Sequence, residues 1–240
     1  QLLAVVGSEA SAALRRAELP QGVHVFAAAD SLAVDVWRAP LQLLAIKPQQ
    51  LDAVAQTRAP VQGRPLLISV LAGVPLDRLQ RLFPGHCCVR AVPNTTALVG
   101  AGLTALASGD AVNEEQRLRV NKLFGDVGEV LELPEPKLDA FLALTSSGPA
   151  FIALVAEAMA DGAVLAGLPR DLAHRLAHRT LAGTAALLDQ RALHPGELKD
   201  MVTSPGGTTI AGIRKLEQAG LRSALIEAVM AAAERSRQLA

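Results

Sequence analysis

The chain has 240 residues and a mass of 25.0 kDa, which is enough for one large domain or two small ones. Half of its residues are hydrophobic, and this composition excludes a disordered protein. Lysine plus arginine and aspartate plus glutamate number 23 each, and this balance argues against nucleic acid or an anionic membrane as the main partner. Charged residues such as Glu157 and Asp161 interrupt the apolar runs before they reach the length of a membrane span, so no membrane partner is expected.

The first half of the chain alternates short apolar runs with helix-like segments. The predicted strands are Leu2–Val6, Val23–Phe26, Leu41–Ile46, Leu66–Val70, Cys87–Val92, Leu103–Ala107 and Val127–Leu133. The predicted helices between them are Ser8–Arg16, Ser31–Trp37, Pro48–Gln56, Pro75–Leu82 and Asn113–Phe124. This alternation predicts a largely parallel sheet covered on both faces, which is a doubly wound, Rossmann-like α/β domain over residues 1–135.

From about Pro136 the pattern changes, and no strand-like alternation remains. The predicted helices are Ala150–Ala166, Asp171–Gln190, Thr209–Ala219 and Leu221–Leu239. They are rich in Ala and Leu and carry more apolar surface than a helical domain of this size could cover alone. We therefore expect residues 136–240 to form an all-helical dimerisation domain, with a monomeric helical cap as the alternative.

Three predicted strands end in turns that suit a ligand. Lys47 and Pro48 follow the third strand, Leu71–Val74 follows the fourth, and Pro93–Thr96 follows the fifth. Because a doubly wound sheet binds its ligand outside the carboxyl ends of its strands, the three turns predict one shared cleft.

The stretch Lys199–Ile213 predicts a second binding element. Pro205, Gly206 and Gly207 set a tight turn, and Thr208 or Thr209 is expected to be the N-cap of the following helix. A helix start with free backbone N–H groups and nearby hydroxyls suits a carboxylate or phosphate, although an ordinary capped turn is the alternative.

Two other features are interpreted as structural. Cys87 and Cys88 are adjacent in sequence, and adjacent cysteines form a disulfide poorly. Together with His86 they supply too few ligands for a zinc site, so we expect them to pack in the core and to bind no metal. Without a disulfide, a reducing, cytoplasmic location is the expectation. His194 is expected to belong to a turn, with the role of a catalytic acid as the alternative.

A dinucleotide fingerprint is not evident. Gly100, Gly102 and Ala105 match G-x-G-x-x-A, but the match precedes a strand instead of opening a helix, and we reject it. A strand, glycine loop and helix of roughly 25–30 residues before Gln1 would supply the missing fingerprint, since a βαβ unit has about 30. Leu2–Val6 would then be the second strand, followed by Gly7 and Ser8 where the adenosine ribose is recognised.

Five motifs, in order, resemble the pyrroline-5-carboxylate reductase family. They are LLAIKPQ (Leu43–Gln49), SVLAGV (Ser69–Val74), VRAVPNTT (Val89–Thr96), the segment Ala143–Arg170, and HPGELKDMVTSPGGTTIAGI (His194–Ile213). The resemblance covers essentially the whole chain. It implies NAD(P)H-dependent reduction of the C=N bond of 1-pyrroline-5-carboxylate to L-proline, in a dimer that some members assemble into rings of five dimers.

The resemblance also implies roles for individual residues. The substrate carboxylate would be bound by Ser204, Gly206, Gly207, Thr208 and Thr209, and Thr209 would also face the ring nitrogen as the catalytic residue. The cofactor, NADP or NAD, would be bound by Gly7, Ser8, Ala45, Lys47, Pro48, Ala72 and Asn94. No arginine or asparagine follows the second strand of the family pattern, so either dinucleotide is expected.

Two alternatives remain at this point. One is another imino-acid or hydroxy-acid reductase of the same architecture, but those enzymes usually need a lysine or histidine on the long helix, and Ala150–Ala166 has neither. The other is a non-catalytic relative that retains dimerisation but has lost cofactor binding.

Overall fold

The structure is a computed structural model that describes residues 2–238, so the end of the predicted helix Leu221–Leu239 lies outside the described residues. Contacts divide the chain into two compact units. The first comprises the described residues of Gln1–Leu142 and Arg235–Ala240, and the second is Ala143–Glu234.

All the described strands belong to the first unit, and each overlaps its predicted range. They are β1 (Leu2–Val6), β2 (Val23–Ala27), β3 (Leu41–Leu44), β4 (Leu66–Ser69), β5 (Cys87–Pro93), β6 (Gly102–Ser108) and β7 (Gly128–Glu132).

The strands form two sheets, where one had been expected. β1 and β2 pair in parallel, and β3 to β7 form a five-stranded sheet in the order β3-β4-β5-β6-β7. Its pairs are parallel except β5 with β6, which is antiparallel. Residues 94–101 connect β5 to β6, and a parallel crossover needs a dozen or more residues, about the length of a helix with its turns. The short connection therefore reverses the chain.

The described residues also form a series of α-helices. In chain order they are α1 (Glu9–Glu18), α2 (Leu51–Gln56), α3 (Leu76–Leu82), α4 (Glu114–Gly125), α5 (Leu138–Thr145), α6 (Gly148–Leu165), α7 (Arg170–Gln190), α8 (Pro195–Met201), α9 (Thr208–Gln218) and α10 (Leu221–Gln238). Ser8 and Asn113, the first residues of two predicted helices, are the N-caps of α1 and α4. The predicted helix Ser31–Trp37 is instead a 3-10 helix, Ser31–Arg38, whose start is capped by the Asp30 side chain.

The five-stranded sheet is covered on both faces, as a doubly wound fold requires. Leu67 on β4 packs in one hydrophobic cluster with Leu79 and Phe83, whereas its neighbours Leu66 and Ile68 pack in another. Successive side chains of a strand point to opposite faces, so β4 contributes to two separate layers of core.

A buried polar cluster joins β3 to the turn after α3. The Gln42 side-chain amide donates to the carbonyl oxygens of Trp37 (2.9 Å) and Ala39 (3.1 Å). Its Oε1 lies 3.1 Å from Nε2 of His86, which is 5% exposed. Because the Gln42 amide nitrogen is already donating, Oε1 accepts, and the geometry assigns the proton of the neutral imidazole to Nε2. Phe83 and Trp37 enclose the ring.

A buried ion pair connects β5 with the chain segment before α5. The guanidinium of Arg90 lies 2.8 Å from Oε1 of Glu135, with 9% of the arginine side chain exposed. The same carboxylate oxygen accepts the backbone N–H of Leu76 at 2.7 Å. Glu135 therefore fixes the start of α3 as well as neutralising the buried charge.

The second unit has only helices, and its interior is made of small side chains. Ala160 on α6 packs against Ala173 and Ala177 on α7, which lets the two backbones approach closely. Large apolar side chains of the unit remain exposed, among them Ile152, Leu154, Leu165, Met201, Ile226 and Met230. Contrary to the expectation drawn from Glu157 and Asp161, the stretch Glu135–Leu165 is long and apolar enough to cross a membrane by length and composition alone. The core helix of a soluble protein meets the same criterion.

Two helices were not predicted. The α5 sequence is short and almost entirely apolar, so its apolar residues show neither a helical nor a strand periodicity. The start of α8 carries a signal that was overlooked, because His194 precedes Pro195 at the first helical position and Glu197 completes a capping box.

We predict that His86 makes the free energy of unfolding pH-dependent. Burial lowers the pKa of His86 below 6.5, an effect that the nearby backbone of Phe83 and Pro84 opposes and the charge of Arg58 reinforces. The neutral ring therefore stabilises the fold above pH 6.5, and this contribution is lost as the pH falls through the folded-state pKa, by up to about 1.4 kcal/mol per pH unit.

Urea unfolding between pH 5 and 8 measures the effect. The His86→Gln variant keeps a donor for Gln42 and should show a flatter pH dependence than the parent, whereas His24→Gln, on an exposed position of β2, should match the parent. Equal slopes for all three proteins would contradict the assignment.

Candidate active site

The carboxyl ends of β3, β4 and β5 lie at one edge of the five-stranded sheet, because the three strands are adjacent and parallel. Ala45, Lys47, Pro48, Ala72 and Asn94 follow these ends, so the structure brings five of the predicted cofactor residues to the same edge. The parallel register is the reason that residues distant in sequence meet there.

The turn after β3 presents a cation with a fixed backbone. The backbone N–H of Lys47 donates to Oε1 of Gln50 at 3.2 Å, and Pro48 opens a 3-10 helix that continues into α2. The Lys47 side chain is exposed and has no ion pair with any described residue. Its ammonium group is therefore available to a ligand phosphate or ribose.

The turn after β4 offers an open, small-residue surface. Leu71 is buried, Ala72 is exposed, and Gly73 has a positive φ of 71° that bends the chain at this point. A planar group could approach the backbone here, because Ala72 has only a methyl side chain.

Asn94 has a structural role that sequence reasoning missed. Its Oδ1 accepts hydrogen bonds from Thr96 Oγ1 (2.8 Å) and from the backbone N–H of Leu103 (2.9 Å). The side chain thus holds the β5–β6 connection in place. The signal for this was the N-T-T turn itself, since asparagine commonly bonds to the backbone of a following turn.

Gly7 and Ser8 follow β1 and belong to the two-stranded sheet instead. Ser8 is exposed, and its hydroxyl accepts the N–H of Ser11 (3.2 Å) and donates to the Ser11 hydroxyl (3.0 Å). Hydrogen bonding in the described sheets does not join β1 to β3, so the sheet order by itself does not group these two residues with the other five.

The predicted substrate turn lies in the second unit, between α8 and α9. Gly206 has a φ of 68°, and the Gly207 N–H donates to the Ser204 carbonyl at 3.0 Å. A Cβ on Gly207 would lie 2.3 Å from the Ser204 Oγ, so glycine leaves the Ser204 hydroxyl in its place beside the helix start. The N-cap of α9 is Gly207, so the expectation of Thr208 or Thr209 was wrong: both threonines are already helical.

This correction strengthens the case for an anion site. Among the described side chains, none caps the start of α9, so the first N–H groups of this helix have no side-chain acceptor. Ser204 and Thr208 are exposed and Thr209 is half-buried. Backbone N–H groups with hydroxyls beside them, and no side chain on Gly207, suit a bound carboxylate.

His194 is explained without catalysis. It is exposed and is the N-cap of α8, where its Nδ1 accepts the N–H of Gly196 at 3.1 Å. The interpretation as a structural element of a turn is therefore confirmed, in the more specific form of a helix cap.

The two features set aside from the sequence also have structural explanations. Gly100 ends a 3-10 helix with a φ of 71° and Gly102 opens β6, so the rejected fingerprint does not begin a helix. Cys87 and Cys88 are buried on β5; the Cys87 thiol donates to the Ala111 carbonyl at 3.1 Å, and burial raises the pKa of Cys88 to about 12.

Comparison with known proteins identifies the family. A family model described as pyrroline-5-carboxylate reductase dimerisation matches residues 135–239. The pyrroline-5-carboxylate reductase of Synechocystis sp. is 53% identical over 197 residues, which cover 82% of this chain and 74% of the relative. That of Arabidopsis thaliana is 42% identical over 219 residues, 91% of this chain and 78% of the relative.

Solved structures agree over nearly the whole fold. The pyrroline carboxylate reductase of Plasmodium falciparum, solved with NADP bound, has a TM-score of 0.84 at 26% identity and covers 99% of this chain and 87% of its own. The enzyme of Coxiella burnetii has a TM-score of 0.83 at 30% identity, with coverages of 99% and 88%. The chain belongs to the pyrroline-5-carboxylate reductase family.

Proposed function

We infer that this chain reduces the C=N bond of 1-pyrroline-5-carboxylate to give L-proline, with NADPH or NADH as the hydride donor. Membership of the reductase family supports this reaction. The structural observation that carries it is the start of α9, an exposed, glycine-lined helix N-terminus that no described side chain caps. The substrate is a small carboxylate, which is the type of ligand that such a start binds.

We assign the substrate carboxylate to the turn before α9 and to its first residues. The contacts would come from backbone N–H groups and hydroxyls of Ser204, Gly206, Gly207, Thr208 and Thr209. Of the two threonines, Thr209 is the more shielded, and its hydroxyl makes no hydrogen bond to a described residue. We therefore place the Thr209 hydroxyl against the ring nitrogen, where it would orient the imine.

The chemistry demands little more of the protein than positioning. When bound, the reduced nicotinamide supplies a hydride to the imine carbon, and the nitrogen takes up a proton, which gives the secondary amine. A cyclic imine is basic enough to be partly protonated near neutral pH. A hydroxyl that fixes the nitrogen and N–H groups that fix the carboxylate are therefore sufficient, and no histidine–carboxylate pair is needed.

We assign the cofactor to the sheet edge formed by β3, β4 and β5. Lys47 offers a free cation, and Ala45, Pro48, Ala72 and Asn94 offer a surface with little side-chain bulk. Gly7 and Ser8, after β1, are proposed for the adenosine ribose. The exposed Ala72 next to Gly73 supports the fit, because a planar ring needs close approach to backbone.

We further propose that residues 1–135 form the dinucleotide-binding domain and residues 136–240 the all-helical domain that dimerises. The match of a dimerisation family to residues 135–239 supports a homo-oligomer, and the exposed apolar residues of the second unit supply a surface that a second copy would cover. A cytoplasmic homodimer, assembled further into a ring of five dimers, is the proposed form.

Replacing Gly207 by alanine should weaken substrate binding. The new methyl would lie 2.3 Å from Ser204 Oγ and 3.2 Å from the Ser204 carbonyl oxygen, so the Ser204 hydroxyl, one of the proposed carboxylate ligands, has to move away. Loss of one charge-assisted hydrogen bond corresponds to about 1.5–3 kcal/mol, which raises the KM for the imine roughly tenfold or more.

Steady-state kinetics at saturating cofactor measure this change. The control is Gly212→Ala in the same helix, where an added Cβ meets no atom within 4 Å and the KM should not change. An unchanged KM in Gly207→Ala would show that the carboxylate binds elsewhere.

Replacing Thr209 by alanine should lower kcat/KM for the imine by roughly tenfold to a hundredfold, because a hydrogen bond to a charged nitrogen is lost. The dissociation constant of NADPH, measured by nucleotide fluorescence, should remain near that of the parent. Thr57→Ala, at an exposed position after α2, serves as the matched control. A normal rate in Thr209→Ala would remove this residue from the site.

Replacing Lys47 by alanine should weaken cofactor binding and leave substrate binding unchanged, the reverse of Thr209→Ala. Removal of the free ammonium group should raise the dissociation constant of NADPH roughly tenfold while the KM for the imine at saturating cofactor stays constant. Lys122→Ala, an exposed lysine on α4, should leave both unchanged. If Lys47→Ala lost only affinity for the imine, the assignment of cofactor and substrate residues would be wrong.

A further inference from the structure

We propose that the first unit has a second anion-binding site, for a phosphorylated small molecule, at the edge of the sheet opposite the cofactor edge. A cavity of about 480 Å³ lies there, within the range typical of small-molecule sites, about 300–1,000 Å³. Its walls are Trp37–Pro40, residues 64–66 and the start of α4, with Pro60 and Gln62 at the side.

The cavity lies at the amino-terminal ends of the strands. Pro40 and Pro65 immediately precede β3 and β4, and the Leu66 N–H donates to the Pro40 carbonyl at 2.9 Å, which opens the ladder. Lys47 and Ala72 follow the other ends of the same two strands. The length of the strands therefore separates this cavity from the proposed cofactor edge, and the two sites would bind independently.

Arginine side chains give the cavity its charge. Arg38, Arg64 and Arg119 line it, against a single acidic lining residue, Glu115. Arg38 is paired with Asp35 at 2.7 Å, but Arg64 and Arg119 have no ion pair with any residue that the structure describes. Two uncompensated guanidinium groups at one cavity favour an anion.

The start of α4 does not itself supply this site, because Asn113 and Gln116 form a capping box that satisfies the first turn. The Gln116 side-chain amide instead donates to the Arg64 carbonyl at 3.1 Å and so fixes the Arg64 backbone beside α4. Guanidinium forks match phosphate oxygens bidentately, while Trp37, Pro40 and Pro65 form an apolar wall for an organic group. The combination favours an organic phosphate over a bare anion.

The chain has an intrinsic reporter for this cavity. Trp37 lines it and is the only tryptophan of the sequence, which also lacks tyrosine. Titration of the full chain with ribose 5-phosphate should therefore change the tryptophan emission saturably, whereas ribose should not change it. Inorganic phosphate should bind at least threefold more weakly than ribose 5-phosphate, and equal affinities would overturn the organic part of the proposal.

Variants locate the signal. Replacing both Arg64 and Arg119 by glutamine should weaken binding at least tenfold, whereas Arg175→Gln with Arg191→Gln removes the same charge from exposed positions of the second unit and should not. If the double glutamine variant does not fold, the double variant Arg64→Lys with Arg119→Lys replaces it. Lysine keeps the positive charge but lacks the bidentate guanidinium group, so this variant should weaken binding severalfold.

Two results would refute the site. One is the absence of a saturable change in Trp37 emission, or a change that the Arg64 and Arg119 variants leave intact. The other is loss of the signal in Lys47→Ala, which would place the bound phosphate at the cofactor edge. Neither readout depends on reductase activity, so this proposal and the proposed function fail separately.

Discussion

Parallel hydrogen bonding between β3, β4 and β5 is the constraint on which the first unit depends. It places three turns from distant parts of the chain at one edge, and it places Pro40 and Pro65 at the other. It also requires cover on both faces, which β4 shows directly by sending Leu67 into one cluster and Leu66 and Ile68 into the other. The Arg90–Glu135 pair then fixes the start of α3 relative to β5.

The second unit is organised by a different principle. Its helices approach through alanines such as Ala160 and Ala173, and small interior residues leave the larger apolar side chains outside. A single copy therefore presents more apolar surface than a soluble helical domain normally exposes. The match of this part of the chain to a dimerisation family is consistent with a homo-oligomer that covers such a surface.

Much of this was predictable from local pattern. Continuous apolar runs predicted every described strand, and the glycine-rich turn before α9 was found from its residues alone. The direction of β6 could not be predicted, because it depends on a connection too short for a crossover, which the strand pattern does not report.

The cap of α9 was misassigned since threonine is a common N-cap, but Gly207 adopts the extended cap conformation here and Ser204 occupies the adjoining space. α8 was missed because histidine is an uncommon cap, although Pro195 and Glu197 signalled it. The pairing of Arg90 with Glu135 is a tertiary contact, 45 residues apart in sequence, that no local signal encodes.

The glycine cap of α9 has a thermodynamic consequence. A helix whose N-cap is glycine has no side-chain acceptor for its first N–H groups, and it is less stable than one capped by serine, threonine, asparagine or aspartate by roughly a few tenths of a kcal/mol. A ligand carboxylate would take the place of the missing cap, so substrate, product and any small acid of similar shape would each stiffen the first turn of α9 on binding. The observed affinity for a carboxylate bound at this turn would then include the free energy of ordering the first turn of α9.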